Sequence, residues 1–250
     1  MKFTKRIITN QTADLSDADF SEGEIILVDK PSGPTSFQVV SKIRKITGVK
    51  KVGHSGTLDP LASGLMIICT GKKTKEMDHF INLEKTYTGI IRLGFKSPSM
   101  DTETELSELP LPEDIDEQKI LNVRNKFLGE IEQIPPMYSA IKIKGKKLYN
   151  LARKGKSVER KPRRVFIKIF EIEKIELPDI YFNITCSKGT YIRVIADVFG
   201  RQLNTGGVLT KLRREKIGEY QVENALTIDQ FTSQMLSSAK ISHPTSRRRS

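Results

Sequence analysis

The chain has 250 residues, 37% of them hydrophobic and 29% charged, and a formal net charge of +12. That balance suits a soluble chain with a real core, folded as one large domain or two small ones. It excludes a disulfide-stapled mini-protein, because only Cys69 and Cys186 are present, both inside apolar runs that read as sites for buried thiols. The longest apolar runs, such as Leu65–Cys69, are too short to span a bilayer, and no apolar stretch of signal-peptide type follows Met1.

Residues 1–22 are polar and weakly patterned and read as an irregular N-terminal extension. Ile25–Val28 reads as a buried strand, ended by Asp29-Lys30-Pro31-Ser32-Gly33-Pro34. Thr35 or Ser36 then caps a helix with Phe37, Val40, Ile43 and Ile46 as its apolar face and Gly48 as its stop. A Gly-rich loop follows, Gly53-His54-Ser55-Gly56-Thr57-Leu58-Asp59-Pro60-Leu61-Ala62-Ser63-Gly64. Its three glycines and small hydroxyl residues let backbone and ligand approach closely, and it presents one carboxylate, Asp59, just before an apolar run. Leu65–Thr70 and Thr86–Leu93 read as strands, and the Pro-interrupted acidic stretch after Pro98 as a surface loop. Lys119–Leu128 is predicted to be a helix with Ile120, Val123 and Phe127 on one face. Tyr138–Ile143, Val165–Ile172 and Ile180–Ser187 alternate with period two and are predicted strands, and Tyr191–Leu203 a helix with Ile192, Ile195, Phe199 and Leu203 inward. Strands outnumber helices without regular βαβ spacing, which predicts an α+β fold with a mixed, largely antiparallel sheet and flanking helices.

Charge is unevenly spread. Between Lys142 and Lys168 there are twelve Lys/Arg and one acid, Glu159, whereas Asp101–Gln118 has eight acids and no base. A concentrated basic segment implies a polyanionic partner, most simply nucleic acid. Gly145, Gly155 and Pro162 interrupt any long amphipathic helix, which argues against a membrane-surface role. The only histidines are His54, His79 and His243, with no ligand-like Cys/His cluster, so no metal is expected.

Several segments together resemble the bacterial TruB-type tRNA pseudouridine-55 synthase family. They are Leu27-Val28-Asp29-Lys30-Pro31-Ser32-Gly33, Gly53–Pro60, Lys85-Thr86-Tyr87 with Arg92-Leu93-Gly94, and Lys188-Gly189-Thr190-Tyr191-Ile192-Arg193 with Leu212-Arg213-Arg214. Pro135–Lys142 and Leu148–Arg153 also look like that family, so the likeness runs from about Glu24 to Phe231. The resemblance implies the pseudouridine synthase fold, a long mixed sheet with a central cleft. It implies isomerisation of uridine 55 in the tRNA T-loop by a cytoplasmic enzyme, without cofactor or metal and without an obligate protein partner. The implied domains are a catalytic domain over residues 23–232 with a basic RNA-binding insertion at about 142–164, then a short basic tail over 233–250. That tail has too few residues for the PUA domain many relatives carry.

On this reading Asp59 is the nucleophile, attacking either C1′ of the ribose or C6 of the uracil. An isolated Asp-Pro would be a turn aspartate; the accompanying motifs argue otherwise. Arg193 is expected to keep Asp59 charged and oriented, or to contact phosphate. Tyr87 is expected to stack on the target uracil and is a candidate for removing the C5 proton; Tyr191 and Leu212 line the pocket. His54 fills the gap left by the flipped base or acts as a general base. Lys30 and Pro31 brace the Asp59 loop. Lys142, Lys144, Lys146, Lys147, Arg153, Arg163 and Arg164 are the expected RNA-contacting cations, with Leu148 and Tyr149 interleaved. The chain departs from the family pattern at Ser99–Ser107, where Thr104 replaces an aspartate and a closing glycine is missing, which predicts a differently bent loop. A non-catalytic tRNA-folding factor on the same scaffold is the alternative, disfavoured by retention of Asp59, Tyr87 and Arg193. A guide-dependent synthase working inside a ribonucleoprotein is a third reading; such enzymes carry the PUA domain.

Overall fold

The computed structural model describes residues 6–139, 141–143 and 145–241, with the backbone alone at Lys142, Ile143, Lys146, Lys147 and 239–241. Lys144 and the arginine-rich end of the basic tail lie outside the described residues. From the N-terminus the elements are β1 (Ile7–Ile8), β2 (Ile25–Lys30), α1 (Ser36–Thr47), β3 (Val52–His54), β4 (Ser63–Thr70), a 3₁₀ turn over Gly71–Glu76 and α2 (Met77–Asn82). Next come β5 (Lys85–Leu93), β6 (Phe95–Lys96), β7 (Ser107–Glu108), α3 (Glu117–Asn125) and β8 (Gly129–Gln133). The basic segment forms β9 (Lys142–Ile143), β10 (Lys146–Lys147) and α4 (Leu148–Ala152). There follow β11 (Arg163–Glu176), β12 (Asp179–Cys186), α5 (Ile192–Gln202), β13 (Gly207–Ile217), β14 (Tyr220–Gln221) and α6 (Ile228–Ile241). This is the α+β class expected. Among the described residues no helix is long and apolar enough to cross a membrane.

The chain divides into two compact units. The first holds the described residues up to Asn82 and from Glu215 onward. Its β2 pairs antiparallel with β4, from Ile25 opposite Cys69 to Lys30 opposite Gly64. β3 also pairs with β4, placing His54 opposite Ile68. Residues Gly64–Thr70 are all buried, as a continuous apolar run requires. α1 begins at Thr35, whose side chain accepts from the Gln38 amide in a capping box, and ends at Gly48 in the left-handed region, φ 70°. The polar N-terminal segment joins this unit: Ile7–Ile8 runs parallel to Ile25–Ile26, and the Leu15 amide donates to the Ser238 hydroxyl of α6.

The second unit, Leu83–Arg214, is built on four antiparallel strands in the order β5–β12–β11–β8. Tyr87 lies opposite Ile184, and Val165 opposite Ile131. α5 contributes Phe199, and the turn that follows α3 contributes Phe127; both meet Phe170 of β11 with ring centroids 5.9 Å apart in each pair. Phe182 of β12 joins them at 6.1 Å from Phe170.

The structure corrects the sequence reading at four places. The buried face of α1 is Ser36, Val39, Val40 and Ile43, while Phe37 is 67% exposed, because the capping box sets the first turn and rotates position 37 outward. In β11 a register shift between Ile167 and Ile169 turns Phe170 inward and leaves Ile169 out, where strict alternation had Ile169 inside. The predicted strand Tyr138–Ile143 is reduced to Lys142–Ile143. Residues 233–241, read as the start of the short basic tail, belong to α6, which begins at Ile228 and whose Phe231 is fully buried and meets Phe20 at 6.1 Å.

α5 closes against the start of β13 so tightly that a Cβ on Gly200 would lie 2.2 Å from the Gly206 carbonyl carbon and the Gly207 amide. Gly200→Ala is therefore expected to lower stability by about 2–3 kcal/mol. Urea unfolding checks this, and an unshifted midpoint would mean that the helix can back away from the strand.

Candidate active site

The Asp59 loop is held from beneath by the first unit. β2 ends at Lys30, which is fully buried, and its ammonium donates to the carbonyls of Pro31 (2.9 Å), Pro60 (3.4 Å) and Ala62. A buried cation must find acceptors, so the main-chain oxygens on either side of Asp59 are drawn toward it. The Gly33 amide donates to the Pro60 carbonyl at 2.8 Å and the Ser32 hydroxyl to the Leu61 carbonyl at 2.9 Å. At the head of α1 the buried Ser36 hydroxyl donates to the Leu58 carbonyl (2.9 Å) and accepts from the Leu58 amide (2.8 Å). Leu58 and Ala62 are buried on each side, so Asp59, half-buried, sits on a loop pinned at both shoulders. Gly56 and Gly64 adopt φ values of 132° and 105°, which only glycine takes without strain. His54 ends β3 half-buried and accepts from the Gly56 amide at Nδ1, 3.2 Å. Lys30 thus braces the loop as expected.

The second unit holds the other expected residues. Tyr87 on β5 is 8% exposed, and Leu212 on β13 equally buried. Arg193, in the first turn of α5, is 2% exposed. Its Nη1 donates to the Ser99 carbonyl at 3.0 Å and its Nη2 to the Tyr138 carbonyl at 2.7 Å, and Nε lies 3.6 Å from Oδ2 of the buried Asp101. Tyr191 is clamped by Gln133, whose Oε1 accepts from its amide at 3.0 Å and whose amide group donates to its carbonyl at 3.3 Å.

Asp101, Ser99 and Gln133 were not among the predicted site residues. Asp101 opens the acidic stretch, and its company of exposed acids disguised it as one more solvated carboxylate. Thr104, where the family pattern has an aspartate, ties the bend together: its hydroxyl lies 2.8 Å from that of Ser99 and accepts from the Ser99 amide at 3.1 Å. The departure from the pattern is thus accommodated inside the loop that feeds Arg193 a carbonyl.

The basic segment is only partly free for a ligand. Arg153 stacks over Tyr149, 4.4 Å from the ring centroid, and reaches Glu103 at 3.6 Å. Arg164 faces Glu130 at 3.3 Å across the β11–β8 ladder with both side chains well exposed, a pairing that contributes little to stability. Arg163 is exposed at the start of β11. β9 and β10 pair antiparallel, with Lys147 opposite Lys142. Among the described residues no group of three or more His, Cys, Asp or Glu is arranged to hold a metal ion.

Below Tyr87 on the same face of β5, Lys85 is buried, and burial first, then the Arg214 guanidinium, push its ammonium down to about 8 from 10.5. Burial pushes the Cys186 thiol opposite it on β12 up to about 11 from 9.0.

Comparison with known proteins bears on this arrangement. The profile described as "TruB family pseudouridylate synthase (N terminal domain)" matches residues 44–192. The "tRNA pseudouridine synthase B" of Flavobacterium johnsoniae is 46% identical over 224 residues, covering 87% of this chain and 98% of that protein. That of Chloroherpeton thalassium is 47% identical, with 88% and 93% covered. Among solved structures, a chain from a Cbf5-Nop10-Gar1 complex superposes with TM-score 0.70 at 27% identity; the match covers 95% of this chain and 61% of that longer one.

Two predictions follow from the buried charges. Asp101→Ala removes a buried carboxylate 3.6 Å from the buried Arg193 guanidinium and should cost about 3–5 kcal/mol in equilibrium denaturation; wild-type stability would show that Arg193 does not depend on Asp101. Lys85 gives a pH signature. Folded protein releases its proton near pH 8 and the unfolded chain near 10.5, so between these values the unfolded state binds more protons and stability rises with pH. Cys186 acts in the opposite sense only above about pH 9, where the unfolded thiol ionises first. Between about pH 8 and 9 wild type should therefore gain about 1 kcal/mol relative to Lys85→Met, read from urea midpoints. Parallel curves would refute the assignment.

Proposed function

Because the chain belongs to the TruB family of pseudouridylate synthases, we propose that it isomerises uridine 55 in the T-loop of tRNA, with Asp59 as nucleophile. The family reaction, pseudouridine formation in tRNA, follows from the relatives, which it matches over nearly their whole length. The position in tRNA and the residue roles are our reading. The observation that carries it is the clamped Asp59 loop: buried Lys30 and Ser36 fix the main chain on both sides of a carboxylate that is itself left half-buried. A turn aspartate needs no such support; a nucleophile gains from being held in one position.

In the proposed reaction the target base leaves its stack at a cost of a few kcal/mol, which RNA-backbone contacts offset. Tyr87 takes the face of the uracil, with Tyr191 and Leu212 as walls, and His54 fills the space the nucleotide vacates. The Asp59 carboxylate adds to C1′ or C6, the N1–C1′ bond breaks, the base turns, a C5–C1′ bond forms, and the bond to Asp59 breaks to return the free carboxylate. Loss of the C5 proton and gain of one at N1 balance the isomerisation, so no redox partner enters. Arg193, held by two carbonyls and Asp101, supplies fixed positive charge for the reacting carboxylate. The cations of the β9–β10 hairpin and the exposed Arg163 serve the RNA backbone. The proposed setting is the cytoplasm, where the protein works on free tRNA without a guide or partner subunit.

The test is pseudouridine mapping on an unmodified tRNA transcript, by carbodiimide labelling and primer extension, with purified protein alone. Wild type should give a stop at position 55, and Asp59→Asn none, with tRNA affinity within about threefold of wild type, since chemistry and not binding is removed. Product from Asp59→Asn would remove Asp59 as nucleophile; binding without product from wild type would favour the tRNA-folding factor.

A further inference from the structure

A second basic surface lies in the first unit, outside the segment that charge counting picked out. From Lys30 to Leu58 the chain carries six cations and no acid. Lys30 is sealed among carbonyls; the other five, Lys42, Arg44, Lys45, Lys50 and Lys51, belong to α1 and the turn that follows it. Lys42, Lys45, Lys50 and Lys51 are exposed. Arg44 Nε donates to the Lys50 carbonyl at 3.1 Å, tying the turn back to the helix and fixing where Lys50 and Lys51 emerge. Lys42 has a distant partner in Asp229 at 3.5 Å, with both side chains mostly in solvent. Among the described residues no acid comes within ion-pair distance of Lys45, Lys50 or Lys51. Most exposed lysines of a folded surface are interspersed with acids; an acid-free run on one face holds a positive potential that only an external anion relieves.

The position of this face matters as much as its charge. The N-terminal end of α1 is fastened to the Asp59 loop through Ser36 and Leu58, and Lys50 and Lys51 lead directly into β3, which ends at His54. A helix of twelve residues is about 18 Å long. The cations therefore lie along a track that starts and returns at the loop bearing the nucleophile.

We infer that this face of α1, continued by Lys50 and Lys51, is a second RNA-contact surface that takes sugar–phosphate backbone flanking the target nucleotide. The inference rests on the tRNA reading above and deepens it. Three unpaired cations on a rigid helix and its tied-down turn match the charge of successive phosphates. A lipid surface is a poorer partner, since the outer face offers one large apolar side chain, Phe37, and no apolar stripe to insert.

The experiment compares tRNA binding over a salt series for wild type, the triple variant Lys45→Gln/Lys50→Gln/Lys51→Gln, and the charge-matched control Lys96→Gln/Lys126→Gln/Lys216→Gln, whose lysines are exposed elsewhere. The first triple variant should lose about 2 from the slope of log K against log salt, and bind about tenfold to a hundredfold more weakly at physiological salt. The control should keep the wild-type slope. An unchanged slope in the first variant, or an equal loss in the control, overturns the proposed surface while wild type still forms pseudouridine. Wild type that neither binds tRNA nor forms product overturns the functional reading, and this inference with it.

Discussion

The first unit depends on one buried ammonium. Lys30 has no access to water, yet it carries a charge that the interior of a protein does not tolerate without acceptors. Its acceptors are main-chain carbonyls, of Pro31 at the end of its own strand and of Pro60 and Ala62 in the Asp59 loop. The β2–β4 register sets this up, because Lys30 stands opposite Gly64, where the loop enters the strand. Burial of Lys30 and the path of the loop are then one cooperative event: neither is stable without the other. A lysine is well suited to the task, since a compact ammonium with three donors can bind three carbonyls at different angles.

The second unit uses the same device with the other cation. Arg193 is buried, and it too spends its donors on carbonyls, those of Ser99 and Tyr138, from segments with no regular structure of their own. A planar guanidinium holds both at once and leaves Nε toward Asp101. In both units a buried cation organises irregular chain that strands and helices could not position by themselves. This is how loops acquire the rigidity that chemistry needs: their hydrogen-bonding groups are satisfied by a charge that would be costly to expose to anything else.

Much of this was legible in the sequence, and the failures have physical causes. Ile25–Val28 and Leu65–Thr70 announced themselves because strands buried on both faces are continuous apolar runs. The loop around Asp59 stood out by its glycines and hydroxyls, and the structure holds that loop on both sides of the carboxylate. Phe37 was misplaced because periodicity counts apolar residues and does not see that Thr35 and Gln38 fix the first turn. Ile169 and Phe170 exchanged faces because a bulge adds a residue that no pattern of alternation contains. Asp101 was hidden by composition: it is 1% exposed at the head of a run whose other acids are mostly in water. β13 was overlooked because its Lys/Arg-rich sequence, Gly207–Ile217, reads as polar, although Arg214 within it is 1% exposed.

That last case generalises. The net charge of +12 counts cations that do opposite kinds of work. Lys30, Lys85, Arg193 and Arg214 are buried and belong to the architecture. Arg153 and Arg164 are exposed but already matched to carboxylates or a ring. Only what remains is available to a polyanion from solution, and that remainder is distributed differently from the raw count. The densest basic segment gives up part of its charge to Glu103, Glu130 and Glu132, whereas the sparser run after α1 gives up almost none. A cation's value to RNA is set by the absence of nearby acids as much as by its own presence, since a phosphate must compete with any carboxylate already in place. Sequence windows measure the number of cations; the folded chain determines how many of them are still free to act.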